Sequence, residues 1–219
     1  MSGFTTARQN MVDGQVRPSD VTDPRILDAM LALPRELFVP ESKRALAYLD
    51  LDLDVSEGGG AGRFLIKPVV LAKMLQAAEI GATDRVLVVG CASGYAAAVI
   101  SHFAGQVVAT ESAPALAAKA TLAQLGCGNV AVRTAAAAEG APADAPFDVI
   151  VLNGATEIVP ERLYAQRRDG GRLVGVFATS IPPRATIVVR SHDDFGHRAL
   201  FDAVAPVLPG LERVPAFVF

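Results

Sequence analysis

Five small residues, Gly90-Cys91-Ala92-Ser93-Gly94, stand between an apolar run, Val86 to Val89, and a helix-compatible stretch that opens at Tyr95. Such a turn after a buried strand lets a ligand approach the backbone and presents amide groups at a helix N-terminus. Glu111 ends the next apolar run, at roughly the 20-residue spacing at which a carboxylate grips ribose hydroxyls. Together the two features predict a site for a ribose-bearing ligand, although glycine turns also form without ligands and a strand-end Glu is often just solvated. Cys91 reads as a passive small residue, since no base stands near to activate it. His102, His192 and His197 lack ligand spacing, so no metal site is expected; His192-Asp193-Asp194 reads as a polar hairpin turn.

These residues need a frame of alternating strands and helices. Strands are expected at 85–89, 107–110, 130–134, 148–152 and 172–177, with helices at 95–103, 113–125 and 160–167. A pair of strands at 185–190 and 199–207 should meet across a turn at 193–196. Strands separated by helices imply a parallel sheet, and the unbroken apolar runs 86–89 and 149–152 imply helices on both faces. The fold class is therefore α/β, a doubly wound, mostly parallel, seven-stranded sheet. Ahead of it lies an N-terminal helical extension. Asp23-Pro24 starts a helix carrying Ile26, Leu27, Met30, Leu31 and Leu33, and a short helix is expected at 41–48. Residues 49–55 alternate Leu or Val with Asp like a strand. The run Gly58-Gly59-Gly60-Ala61-Gly62 reads as a flexible connector, with a ligand-gripping loop as the alternative. A helix from Pro68 closes at Gly81.

Composition narrows the partners. The chain has 219 residues, 51% of them hydrophobic, and a formal charge of -3. That length suits a single domain, with residues 1–80 as extension and 81–219 as core. No long basic run suggests nucleic acid, and the longest apolar stretch is interrupted too often to span a membrane. The start carries no leader pattern, and the two cysteines are far apart without a CxxC spacing, so a cytoplasmic setting is expected.

Several strings give the chain a family likeness: Asp23-Pro24-Arg25-Ile26-Leu27-Asp28-Ala29-Met30, Pro34-Arg35-Glu36-Leu37-Phe38-Val39-Pro40, Val86-Leu87-Val88-Val89-Gly90 through Gly94-Tyr95, and Asp169-Gly170-Gly171-Arg172-Leu173-Val174. From near the N-terminus to about Pro209 the chain resembles the protein-L-isoaspartate O-methyltransferases. The resemblance implies a class I methyltransferase (Rossmann-like) fold, S-adenosylmethionine as cofactor, and isoaspartyl residues of damaged proteins as substrate, with a monomer the expected state. It implies that Gly90, Cys91, Ala92, Ser93 and Gly94 face the cofactor's methionine, that Glu111 holds its ribose, and that Ala136 stands where the adenine is contacted. Arg63, Ile66, Lys67 and Pro68 would belong to the substrate segment.

The same alignment exposes departures. The family's substrate segment, Gly-Gln-Thr-Ile-Ser-Gln-Pro, is here Gly62-Arg63-Phe64-Leu65-Ile66-Lys67-Pro68, so both hydroxyls are gone and Arg63 or Lys67 is left to compensate. Val88 replaces an acid, Ala92 a glycine, and Ala136 the aspartate that contacts adenine. An alanine at 92 is expected to need ordinary backbone angles. Two readings stand: an isoaspartyl methyltransferase, or a binding or regulatory protein that keeps the scaffold, with cofactor affinity weak or lost.

Overall fold

Apolar residues at helical spacing build the first eighty residues, and unbroken apolar runs build the sheet that follows. The computed structural model describes residues 3–56, 62–112, 116–192 and 194–214, without the side chains of 116 and 117. Residues 58–61 of the connector expected at 58–62, the start of the helix at 113–115 and Asp193 of the expected turn lie outside the described residues.

Helix α1 (Gly3–Met11) runs through a π turn into α2 (Pro24–Ala32), which starts where Asp23 accepts the Arg25 amide at 2.9 Å. A 3₁₀ turn forms at Arg35–Phe38, and a second, Glu41–Leu46, replaces the short helix expected at 41–48. The alternating 49–55 stretch is a strand only at β1 (Leu53–Asp54), antiparallel to β2 (Phe64–Leu65). Its aspartates have another use. Asp52 accepts the Lys67 amide and Asp50 the Val69 amide, at 3.0 and 3.2 Å, which satisfies free N–H groups at the start of α3 (Pro68–Ala78).

The sheet comprises β3 (Arg85–Val89), β4 (Gln106–Glu111), β5 (Val130–Thr134), β6 (Phe147–Thr156), β7 (Arg167–Phe177), β8 (Arg184–Ser191) and β9 (Asp194–Asp202). Its order is β5-β4-β3-β6-β7-β8-β9, parallel from β5 to β7 and antiparallel in the last two pairs. The mostly parallel seven-stranded sheet is as the sequence predicts. The last hairpin is not: β9 begins at Asp194, pairing with Ser191, and ends at Asp202, so 194–196 of the expected turn are strand and the expected strand 199–207 stops short. Helices α4 (Tyr95–Ser101), α5 (Leu116–Gln124) and α6 (Glu161–Ala165) connect the parallel strands.

Alternate residues of β3 serve opposite faces, as strand geometry demands. Val86 and Val88 join Met11, Ile26, Met30 and Met74 on the side of the N-terminal helices. Leu87 and Val89 join Phe147, Ile150, Leu163 and Leu173 on the other. Each such side chain contributes about 1.5–3 kcal/mol on burial. The chain turns in opposite directions after β3 and before β6, so their carboxyl ends flank the switch point where such sheets open a crevice.

Candidate functional site

The last ladder pairs of β3 are Val89 with Thr110 and Val89 with Leu152. Immediately beyond them come Gly90, Glu111 and Asn153, one from each of three adjacent strands. All three line a narrow cleft whose free volume is about 20 Å³.

Glu111 is 5% exposed, and its carboxylate is already engaged. Oε2 accepts the Ala92 amide at 2.8 Å, and Oε1 accepts the Ser112 amide at 2.8 Å and its hydroxyl at 3.1 Å. The carboxylate therefore clamps the glycine turn to the end of β4, with part of its lone-pair capacity left for a ligand. The turn itself is tight. Gly90, Ala92 and Gly94 have φ of 69°, 50° and 98°. The expectation of ordinary angles at Ala92 is thus corrected: it sits in the left-handed region, at about 1–2 kcal/mol for a residue with a Cβ. Its bond to Glu111 helps hold it there. Ser93 Oγ is buried in this turn without a hydrogen-bond partner among the described residues. Cys91 is fully buried, and burial, then the neighbouring Glu111 charge, pushes its thiol up to about 12. It is inert at neutral pH.

Asn153 closes the apolar run of β6, where β6 spends five residues, Val151 to Ala155, against three of β7, Val174 to Val176. This bulge lets the Asn153 amide donate to Gly90 O at 2.8 Å and to Phe64 O at 3.2 Å. One side chain thereby joins the glycine turn to β2. The segment around β2 is fixed from behind by Arg35, fully buried, which donates to Ala47 O at 2.8 Å and Ile66 O at 3.0 Å and lies 4.5 Å over the Tyr95 ring. Phe38 meets that ring edge-on at 5.4 Å.

The far wall is a strap after β9. Pro206 O accepts from Ala155 N at 2.8 Å and Leu208 N donates to Ala155 O at 2.9 Å, extending the sheet by a short bridge. Leu208 then reaches over the turn. A Cβ on Gly90 would lie 2.4 Å from Leu208 Cδ2, and one on Gly154 2.9 Å from it. Both glycines are what let this side chain enter.

Of the residues picked out in the sequence, Gly90, Ala92, Glu111 and Arg63 lie on the cleft wall. Cys91, Ser93 and Gly94 sit behind it; Gly94 packs towards Leu122. Ala135 and Ala137 line the cleft, whereas Ala136 between them does not. Ile66 is 1% exposed in the core, Lys67 pairs with Asp52 at 3.7 Å, and Pro68 opens α3. Sequence reasoning missed Asn153, Ser112 and Leu208. Asn153 had a signal, a polar residue ending an all-apolar strand beside the glycine turn; Leu208 had none.

The profile of the family described as protein-L-isoaspartate(D-aspartate) O-methyltransferase matches residues 6–194. The chain belongs to this family. The protein-L-isoaspartate O-methyltransferase 2 of Anaeromyxobacter sp. (strain Fw109-5) is 45% identical over 77% of this chain and 69% of its own length. A protein-L-isoaspartate O-methyltransferase 1 of Rhodopseudomonas palustris (strain HaA2) is 42% identical over 79% and 70%. A solved protein-L-isoaspartate O-methyltransferase structure aligns over 94% of this chain and 67% of its own, with TM-score 0.83 and 25% identity. A Plasmodium falciparum structure titled as a putative member in complex with S-adenosyl-L-homocysteine shares the fold at TM-score 0.74 and 15% identity, over 95% and 99% of the two chains. The fold is thus that of class I methyltransferases. Membership explains the Pro34–Pro40 string physically: in this isoaspartyl methyltransferase chain, Arg35 and Phe38 brace the segment that forms the cleft wall.

Proposed function

We propose that the cleft binds S-adenosylmethionine and that the chain methylates the carboxylates of isoaspartyl residues in damaged proteins. The observation that carries this reading is Glu111, an enclosed carboxylate at the end of β4 beside the glycine turn, in a member of this family. The chain is an S-adenosylmethionine-dependent methyltransferase, and the residues present fit that cofactor. Glu111 and Ser112 suit its ribose, the backbone of the turn at Gly90 and Ala92 suits its polar amino-acid end, and Ala135 and Ala137 offer an apolar bed for the base.

When bound, the cofactor supplies an electrophilic methyl group. The acceptor is a carboxylate, already ionised at neutral pH, so no side chain has to remove a proton. That suits a wall whose described residues include no histidine and only one acid, itself committed to amides. The work left to the chain is orientation and exclusion of water. Asn153 holds the two halves of the cleft in register, and Phe64 and Leu208 supply its apolar cover. The cytoplasmic setting belongs to the same reading; two buried free thiols, Cys91 and Cys127, support it.

Calorimetric titration with S-adenosylmethionine and S-adenosylhomocysteine, followed by methyl-ester assays on an isoaspartyl peptide and its aspartyl counterpart, tests the reading. Binding of both ligands and esterification of the isoaspartyl peptide alone is expected. Absence of binding at millimolar ligand would overturn it. Binding without transfer would favour a regulatory protein on the same scaffold.

A further inference from the structure

Residues 62–68 carry neither hydroxyl of the substrate motif with which they align, and Phe64 and Ile66, which stand in their place, have no side-chain group that could hydrogen-bond a carboxylate. Ile66 points into the core, and its carbonyl is held by Arg35. The Phe64 ring folds back over Gly62, where a Cβ would lie 2.6 Å from Phe64 Cε2. Nor are the other polar groups near the cleft free to receive an anion. Asn153 spends its amide donors on two carbonyls, and Glu111 is itself an anion. Lys67 is turned to Asp52.

Arg63 is different. Its backbone is fixed on both sides, its amide donating to Ser56 Oγ at 2.8 Å and its carbonyl accepting from Val55 N at 2.8 Å. Its side chain lines the cleft, half-buried, and the guanidinium makes no hydrogen bond or ion pair with any described residue. The charge is felt inside the site, where it acts on the Cys91 thiol in the direction opposite to burial. An unpaired guanidinium offers five donors in a planar fork that matches a carboxylate.

We propose that Arg63 is the receptor for the substrate carboxylate, doing with a charged fork what neutral hydroxyls on this segment would otherwise do. The assignment rests on the methyl-transfer reading above. It has a kinetic consequence. In the transfer, a carboxylate oxygen forms a bond to the methyl carbon as the carbon–sulfur bond breaks; the sulfonium becomes a thioether, the carboxylate a neutral ester, and no proton moves. The attraction of Arg63 is therefore full for the substrate, falls towards the transition state and is absent in the product. It strengthens substrate binding without an equal hold on the neutral ester, and it restrains the oxygen as nucleophile. Arg63 sets KM rather than kcat.

The test compares the parent protein with Arg63→Gln and Arg63→Lys. Binding of a fluorescent isoaspartyl peptide is measured by anisotropy with S-adenosylhomocysteine present, across a salt series, beside steady-state methylation and binding of the matching carboxamide peptide. For Arg63→Gln, peptide binding and KM should weaken by about ten- to a hundredfold, the range of one charged hydrogen-bonded contact, with kcat unchanged or raised. Arg63→Lys should recover part of the affinity, the salt dependence should flatten in Arg63→Gln, and its preference for carboxylate over carboxamide should shrink. Thermal melting should not move, because the guanidinium has no partner to lose. Equal binding and equal salt dependence in Arg63→Gln and the parent, with both proteins methylating, would overturn the role of Arg63 and leave the enzyme reading standing. S-adenosylhomocysteine binding with no methylation by any of the three would instead overturn the enzyme reading, and this assignment with it.

Discussion

Replacing Glu111 should loosen the protein before any ligand is added, because its carboxylate is a structural clamp as well as a ligand group. In Glu111→Ala the Ala92 amide loses its acceptor in a buried place, at about 1–3 kcal/mol. The Ser112 amide loses its acceptor at an exposed residue, where water substitutes, so that bond is worth about 1 kcal/mol. The sum is about 3 kcal/mol, or roughly 9 °C in Tm for a domain of this size. Glu111→Gln keeps one acceptor oxygen, which goes to the buried Ala92 amide, and should lose only about 1 kcal/mol, roughly 3 °C. Scanning calorimetry of the ligand-free proteins reads the order parent, Gln, Ala. Titration with S-adenosylhomocysteine should show binding lost in Glu111→Ala and weakened in Glu111→Gln. If ligand-free Glu111→Ala melted within 2 °C of the parent, the carboxylate would not be holding the turn, and the clamp argument would fail.

Ala92→Gly should relieve the positive φ while adding chain entropy to the unfolded state; the net gain is about 0.5 kcal/mol, read as a slightly raised denaturant midpoint. Leu208→Ala should cost about 2–3 kcal/mol, the low end for a buried leucine because it borders an open cleft, yet bind S-adenosylhomocysteine more tightly; weaker binding would show that Leu208 supports the ligand rather than crowding it. Asn153→Ala should reduce the coupling by which S-adenosylhomocysteine tightens peptide binding, measured by titrating each with and without the other. The Cys91 thiol, raised to about 12 when folded, stays protonated while an unfolded thiol ionises near 9. Its contribution to stability is therefore complete below pH 9 and lost as pH climbs to 12, with a slope of up to about 1.4 kcal/mol per pH unit that Cys91→Ala should remove from urea-melt series.

The strand runs and the pair formed by the glycine turn and Glu111 were legible because each is local. An apolar run tells its burial, and a spacing of one strand–helix–strand unit tells which ends meet. What stayed hidden depends on contacts across long separations. The aspartates between Leu49 and Val55 mimic an alternating strand, and only the fold shows them satisfying the first amides of α3. Asn153 acquires its meaning from carbonyls 63 and 89 residues away. Alignment alone placed Ile66 where a reacting carboxylate should be held, but just past β2 this side chain faces the core. The charged position of the segment that lines the cleft is Arg63, three residues earlier, whose charge in sequence looked like any solvated arginine. The departures that made the site look damaged thus divide by where each side chain points. Val88 belongs to the core and Ala136 misses the wall, so neither bears directly on ligand contact; Ala92 strains the turn but is clamped. Leu208, which no motif announces, is among the described residues the one whose side chain lies nearest a Cβ at Gly90, and its removal tests whether this site is closed by design or merely narrow.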